Sequence, residues 1–349
     1  MERTDIKSMT ITELQEALAA MGQPRFRAGQ VYRWLQQRGV SSFDEMTDLP
    51  AGFRAVLREK YYISVAIIEK RQISDYDNTR KYLMRLSDGE RVECVLMDYH
   101  HGLSVCISTQ VGCKMGCTFC ATGKSGFSRD LLASEMLSEV QTAERDAGRR
   151  ISNIVLMGMG EPLDNYENVR RFLSLVTSPE GMNIGMRHIS LSTCGLVDEI
   201  YRLADEKLQL TLSVSLHAPN DTLRSEMMPV NRKWDVETLL RACRYYSDTT
   251  KRRISFEYAM IDGVNDSDAC ARELAGRLRG ILSHVNLIPV NSVDGAGYRK
   301  SGRIQAFQAA LQKYGVTATV RRTLGEDIDA ACGQLRRRAE TEADRIANL

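Results

Sequence analysis

The chain lacks a membrane span. No stretch approaches the ~20 consecutive apolar residues that a spanning helix needs, so no membrane association is expected. Residues 1–14 are polar and charged and lack the apolar centre of a secretion signal. A disulfide framework is missing as well. Nine cysteines gather at one place and scatter elsewhere, a usage that points to a reducing cytoplasm. Strong charge of either sign is absent, because 47 Lys and Arg against 45 Asp and Glu leave only +2. Bulk charge therefore argues little for nucleic acid. An RNA contact has to come from local basic patches such as Arg321-Arg322 and Arg336-Arg337-Arg338, which by default are solvated surface. What remains is a 349-residue chain, 43% apolar and 26% charged, of a size for one large α/β domain and a small accessory one.

Against that background the segment Cys113-Lys-Met-Gly-Cys117-Thr-Phe-Cys120 stands out. It follows an apolar run, 103–107, that reads as a strand. Three thiolates in one short loop make a soft anionic site suited to an iron–sulfur cluster or to zinc. Zinc sites usually come as paired C-x2-C knuckles. This chain has no second knuckle, although Cys106 or Cys194 offers a fourth thiol. Three cysteines on a four-iron cluster leave one iron open to a substrate or cofactor. The C-x3-C-x2-C spacing, with Phe119 before the last cysteine, resembles the signature of radical S-adenosylmethionine (SAM) enzymes. That resemblance implies an open iron chelating the amino and carboxylate groups of SAM, with Phe119 near its adenine.

Residues 1–61 read as a small helical domain. Thr10 and Glu13 form a capping-box pattern ahead of a helix over 11–21, which Gly22 stops. A second helix is expected over 26–37, and shorter pieces over 42–46 and 51–61. This domain is either an N-terminal cap or an RNA contact; acidic residues offset Arg25, Arg27, Arg33 and Arg38. Residues 62–102 form a β extension, with strands over 63–68, 81–86 and 91–97 and a hairpin turn at Ser87-Asp88-Gly89-Glu90.

From 103 to 335 strands and helices alternate. Strands fall at 103–107, 154–157, 189–192, 210–216, 254–260, 285–290 and 316–320. Helices fall at 131–145, 166–175, 196–206, 236–246, 269–279 and 304–314. Such repetition predicts an α/β fold, a partial (β/α)6-type barrel, with working residues at the C-terminal strand ends. A basic tail, 336–349, follows.

The strand ends hold unusual residues. Met157-Gly-Met-Gly160-Glu161-Pro162 offers glycines for close backbone approach and a carboxylate for a cation; the plainer reading is a Gly-rich turn with a capping Glu. Ser192, Ser215, His217 and Asn291 end later runs. His217 is an acid, a ligand contact or a satisfied buried group, and taken alone the last is preferred. Cys332 sits among Ala330, Ala331 and Gly333, where a ligand reaches sulfur easily, yet a lone cysteine is more often a buried small hydrophobe.

Four segments, Cys106-Ile-Ser-Thr-Gln-Val-Gly-Cys113, Gly158-Met-Gly-Glu-Pro162, Ser215-Leu-His217 and Asp327-Ile-Asp-Ala-Ala-Cys-Gly-Gln334, together resemble the RlmN/Cfr family of radical SAM RNA methyltransferases. The resemblance spans nearly the whole chain. It implies that Cys113, Cys117 and Cys120 hold a [4Fe–4S] cluster, and that Gly160, Glu161, Ser192, Ser215, Leu216, His217 and Asn291 contact SAM. It implies that one SAM methylates Cys332 and a second yields a 5′-deoxyadenosyl radical that activates this methyl group. Cys106 then resolves the adduct through a transient disulfide, and Glu93 is the general base. Adenine C2 is electrophilic, so ordinary attack on SAM fails there, and a sulfur-borne radical avoids that problem.

Glu161-Pro162 and Asn286-Leu-Ile-Pro-Val-Asn291 look like the C2-methylating RlmN branch. Leu324 departs from many relatives, which carry a basic residue there; this bears on an RNA contact and leaves the cysteine chemistry intact. The expected partners are 23S rRNA, tRNA and a one-electron reductant such as flavodoxin, with the enzyme a monomer. Two other readings stand beside this one: a C8-methylating, antibiotic-resistance relative, and a zinc-stabilised RNA-binding protein without catalysis.

Overall fold

The computed structural model describes residues 3–124, 126–290, 297–322 and 324–328; Asn291, Cys332 and the tail 336–349 lie outside the described residues. One sheet of ten strands organises the molecule. In chain order its strands are β1 (Ile67–Ile73), β2 (Arg80–Arg85), β3 (Arg91–Tyr99), β4 (Gly102–Ile107), β5 (Ile151–Leu156), β6 (Ile189–Thr193), β7 (Thr211–Ser215), β8 (Ile254–Met260), β9 (Ser283–Pro289) and β10 (Ala318–Val320). They lie side by side in that same order. Strands β4 to β10 run parallel, and β1 to β4 pair antiparallel.

The parallel part is the predicted partial barrel, and each of its seven strands falls on a run read from the sequence. It stays open because β3 occupies the free edge of β4. The six expected helices are present, among them Ala133–Ala147, Tyr166–Thr177 and Val236–Thr250. Alternation along the strands puts Val105, Ile107, Ile154, Leu156, Leu191, Leu212, Val214, Phe256, Val285 and Leu287 on the outer face. There they are fully buried in one continuous core.

The N-terminal helices Ile11–Ala19, Phe26–Gln36 and Ala51–Lys60 share that core through Leu14, Val31, Leu35 and Leu57. The Thr10/Glu13 capping box is formed, with Glu13 Oε2 2.8 Å from the Thr10 N–H. The hairpin turn closes where expected, the Leu86 N–H donating to the Glu90 carbonyl at 2.8 Å.

One expected strand is displaced. The sequence predicts a strand over 63–68, yet β1 begins only at Ile67. The carbonyl of Ser64 accepts instead from Lys7 Nζ and Ser138 Oγ, and that of Ala66 from Thr142 Oγ1. Side chains of the helix Ala133–Ala147 thus take up the backbone acceptors that a longer strand would pair.

Candidate active site

The cysteine loop leaves β4 through a short ribbon in which Gln110–Gly112 pairs with Phe127–Asp130. Gly112 has a φ of +82°, and a Cβ there would lie 1.9 Å from the Gly126 carbonyl oxygen. That carbonyl accepts the Cys113 N–H at 2.8 Å. On its other side the loop is held by the helix Asp221–Met227, whose Met227 carbonyl accepts the Thr118 N–H at 3.0 Å. Tyr298 adds its hydroxyl, 2.9 Å from Thr118 Oγ1.

Burial, and after it the charge of Cys120, pushes the Cys113 thiol up to about 12. Cys117 is raised too, by burial first and then by Cys120 and Cys113. As thiolates these three need a positive group between them, so the donor set fits the cationic core of an iron–sulfur cluster.

The neighbouring strand ends are tied to the loop. Glu161 is buried, with Oε2 accepting the Cys194 N–H at 2.7 Å and Oε1 the Leu163 N–H at 3.0 Å. Its carboxylate therefore joins the turn after β5 to the end of β6, and burial raises its pKa. The glycines of this turn close on protein backbone. A Cβ on Gly158 would meet the Ile107 carbonyl oxygen at 2.5 Å, and one on Gly160 would meet Gln110 at 2.6 Å. His217 follows β7 with a φ of +57°. Its Nδ1 accepts the Ala259 N–H at 2.9 Å, and its ring meets Phe119 edge-on with centroids 4.8 Å apart. Burial, then the charge of Arg224, lowers its pKa to about 3. The imidazole is neutral, with its proton on Nε2, so of the three roles open to it that of an acid at neutral pH falls away.

The inner face of the sheet divides in two. Cys106 pairs with Val95 on one side and Val155 on the other. With Val95 and Met97 it forms an apolar cluster separate from the main core, against which Tyr99, Val155, Met157 and Leu324 pack. Glu93, two residues before Val95, shares that face; it is 2% exposed, with Oε1 3.5 Å from Lys81 Nζ. Across the sheet Ser192, Ser213, Ser215, Ser255, Glu257 and Asn286 share the inner face by register. Glu257 accepts from the Ser255 hydroxyl at 2.9 Å and the Asn286 amide at 2.8 Å. Burial raises its pKa as well.

The structure thus gathers Cys113, Cys117, Cys120, Glu161 and His217 at one end of the parallel sheet, with Ser192, Ser215 and Leu216 on the adjoining strand ends. Cys106 and Glu93 lie along the same inner face. Asn291 and Cys332 fall outside the described residues. Glu257, Arg224 and Tyr298 were not singled out from the sequence. A signal for Glu257 exists: polar residues recur at every second position of otherwise apolar runs, as in Ser213/Ser215 and Ser255/Glu257.

Comparison with known proteins places this site in a lineage. Residues 107–272 match the Radical SAM superfamily, and residues 4–63 match the ribosomal RNA large subunit methyltransferase N-terminal domain. A probable dual-specificity RNA methyltransferase RlmN of Alkaliphilus oremlandii is 53% identical over 340 residues, covering 97% of this chain and 99% of its own. The corresponding protein of Thermoanaerobacter sp. is 49% identical, covering 96% and 98%. The chain belongs to the RlmN family of radical SAM RNA methyltransferases. A crystal structure of a radical SAM methyltransferase from Sphaerobacter thermophilus superposes with a TM-score of 0.91 at 47% identity, covering 95% of this chain and 98% of that one. As an RlmN-family enzyme the chain is a SAM-dependent RNA methyltransferase that uses a [4Fe–4S] cluster and SAM. These matches do not favour the C8-methylating or the non-catalytic zinc reading. No helix among the described residues is long and apolar enough to cross a membrane.

Proposed function

We propose that this chain methylates C2 of an adenine in the peptidyl-transferase centre of 23S rRNA and of the adenosine 3′ of a tRNA anticodon, working as a cytoplasmic monomer. Cys113, Cys117 and Cys120 hold the cluster, and Gly160, Glu161, Ser192, Ser215, Leu216, His217 and Asn291 hold SAM. Held there and charged by a one-electron donor such as flavodoxin, the cluster would supply the electron for SAM cleavage. A 5′-deoxyadenosyl radical from a second SAM would take one hydrogen atom from the methyl group on Cys332, and the methylene left on sulfur joins adenine C2. The adduct gives up one electron, which the cluster would take back, and its C2 proton, which Glu93 takes. The Cys106 thiolate then attacks the Cys332 sulfur: an S–S bond forms, the S–CH2 bond breaks with its electron pair left on carbon, the proton held by Glu93 completes the methyl group, and the methylated base leaves.

The supporting observation is the setting of Cys106. It lies buried on the inner face, and Leu324, just ahead of the segment that carries Cys332, packs against its cluster. The described chain ahead of Cys332 thus runs beside Cys106 as far as Leu324. Glu93 on the same face places a carboxylate within that setting.

The test is nucleoside mass spectrometry of rRNA and tRNA from a strain lacking the gene. C2-methyladenosine should vanish from both and return with the wild-type gene but not with Cys332→Ala. Its persistence in both RNAs would overturn the reading, and its loss from one alone would narrow the substrate.

A further inference from the structure

We propose that the buried positive charge of Arg224 sets how readily the iron–sulfur cluster accepts its electron, making this arginine a positioning and electrostatic residue of the site. The inference rests on the ligation of the cluster by Cys113, Cys117 and Cys120.

Arg224 lies on the short helix Asp221–Met227 and is fully buried. Its guanidinium donates to the carbonyls of Leu216 at 3.2 Å, Cys194 at 2.6 Å and Ser215 at 3.1 Å, and to the side-chain oxygen of Asn231 at 2.9 Å. All four acceptors are neutral, and no carboxylate pairs with it among the described residues. Asp221 stands one step away, its Oδ1 taken up by Asn231 Nδ2 at 2.9 Å and the Val236 N–H at 2.8 Å. A cation held this way is costly to bury, and a plain clamp on strand ends has no need of full charge.

The helix that carries the charge holds the cysteine loop. The same helix ends on Met227, whose carbonyl holds the Thr118 N–H between Cys117 and Cys120. On its other side the guanidinium holds the Cys194 carbonyl, in the turn whose Cys194 N–H meets Glu161. A four-iron cluster on three thiolates is net negative, and one-electron reduction makes it more so, with no proton taken up. A buried cation stabilises the reduced state more than the oxidised one, because the interaction grows with the charge and is little screened in the interior. Its removal makes the cluster harder to reduce.

The experiment is redox titration of anaerobically reconstituted protein against a one-electron reductant, followed by electron paramagnetic resonance. Iron and sulfide content is measured beside it. Arg224→Gln should load with iron yet be at least tenfold harder to reduce, a shift of about 59 mV for a one-electron couple. Arg224→Lys, which keeps the charge and loses the fork, should stay within a fewfold of wild type.

Where Arg224→Gln fails to load, Cys243→Asp carries the test. Cys243 is fully buried, one turn along its helix from Leu239, which flanks Gly195 together with the Arg224 guanidinium, so a carboxylate there sets a negative charge near that cation. It too should make reduction harder. A loaded Arg224→Gln or Cys243→Asp protein that titrates like wild type overturns the role of Arg224 and leaves the cluster ligation standing. A Cys117→Ala protein with full iron and sulfide would instead overturn the ligation itself.

Discussion

Along the inner face of the sheet, β3 to β5 present Val95, Met97, Cys106 and Val155 beside the single carboxylate of Glu93, whereas β6 to β9 present Ser192, Ser213, Ser215, Ser255, Glu257 and Asn286. The two halves share one backbone scaffold and one apolar outer face. Their difference is therefore chemical, and it suits the two tasks proposed for them. A charged, hydroxyl-rich cofactor needs polar partners. A sulfur that carries a carbon radical needs a setting that water does not enter. The cysteine loop joins the halves at the end of the parallel strands.

Breaking that junction should have the largest effect. Cys117→Ala should lose iron and sulfide and, with them, all SAM cleavage; iron analysis checks it, and a fully loaded variant would contradict it. Next comes the polar half. Glu161→Ala leaves the N–H groups of Cys194 and Leu163 without their acceptor, at a cost of ~1–3 kcal/mol of stability. It should weaken SAM binding by roughly tenfold or more. Thermal unfolding and isothermal titration read the two, and an unchanged affinity would remove Glu161 from the SAM site.

The apolar half should be more forgiving. Val155→Thr puts a hydroxyl beside Cys106 for ~1–3 kcal/mol. It should slow release of methylated RNA a fewfold while leaving SAM affinity alone. A titration showing weakened SAM binding would erase the division between the halves.

The smallest effect on activity belongs to a group outside the inner face. Lys7 is buried against Ser64 and Ser138, and burial lowers its pKa from 10.5 to about 7. Between those values the unfolded chain binds more protons than the folded one, so stability rises with pH across that window. Below pH 7 the cost of the buried ammonium is fully present. Lys7→Met should remove this rise and leave methylation unchanged. Chemical denaturation of both proteins at pH 7 and pH 10 checks it, and equal pH slopes would contradict it.

The order of the elements was legible because apolar strands and amphipathic helices alternate with regular spacing, and the sheet keeps its strands in chain order. The cysteine loop and the strand ends were legible as motifs. Arg224 was not: on Asp221–Met227 it reads as one polar residue of a short surface helix, and only the packing of two strand ends around it makes it buried. Glu161 was read toward a ligand, whereas both its oxygens hold backbone N–H groups, a bond that depends on how β5 and β6 meet. The strand expected over 63–68 yielded because Lys7, Ser138 and Thr142, remote in sequence, claim its carbonyls.

In the proposed mechanism Cys106 acts in release, not in attack on adenine. Cys106→Ala enzyme should be incubated with SAM, a one-electron reductant and substrate RNA, then resolved by intact-protein mass spectrometry with and without nuclease. The account predicts a nuclease-sensitive species of higher mass, protein joined to RNA through Cys332, with little free methylated RNA; Cys332→Ala should give neither. Normal release of methylated RNA by Cys106→Ala, or trapped RNA on Cys332→Ala, would contradict the two-cysteine assignment while leaving the radical SAM site intact.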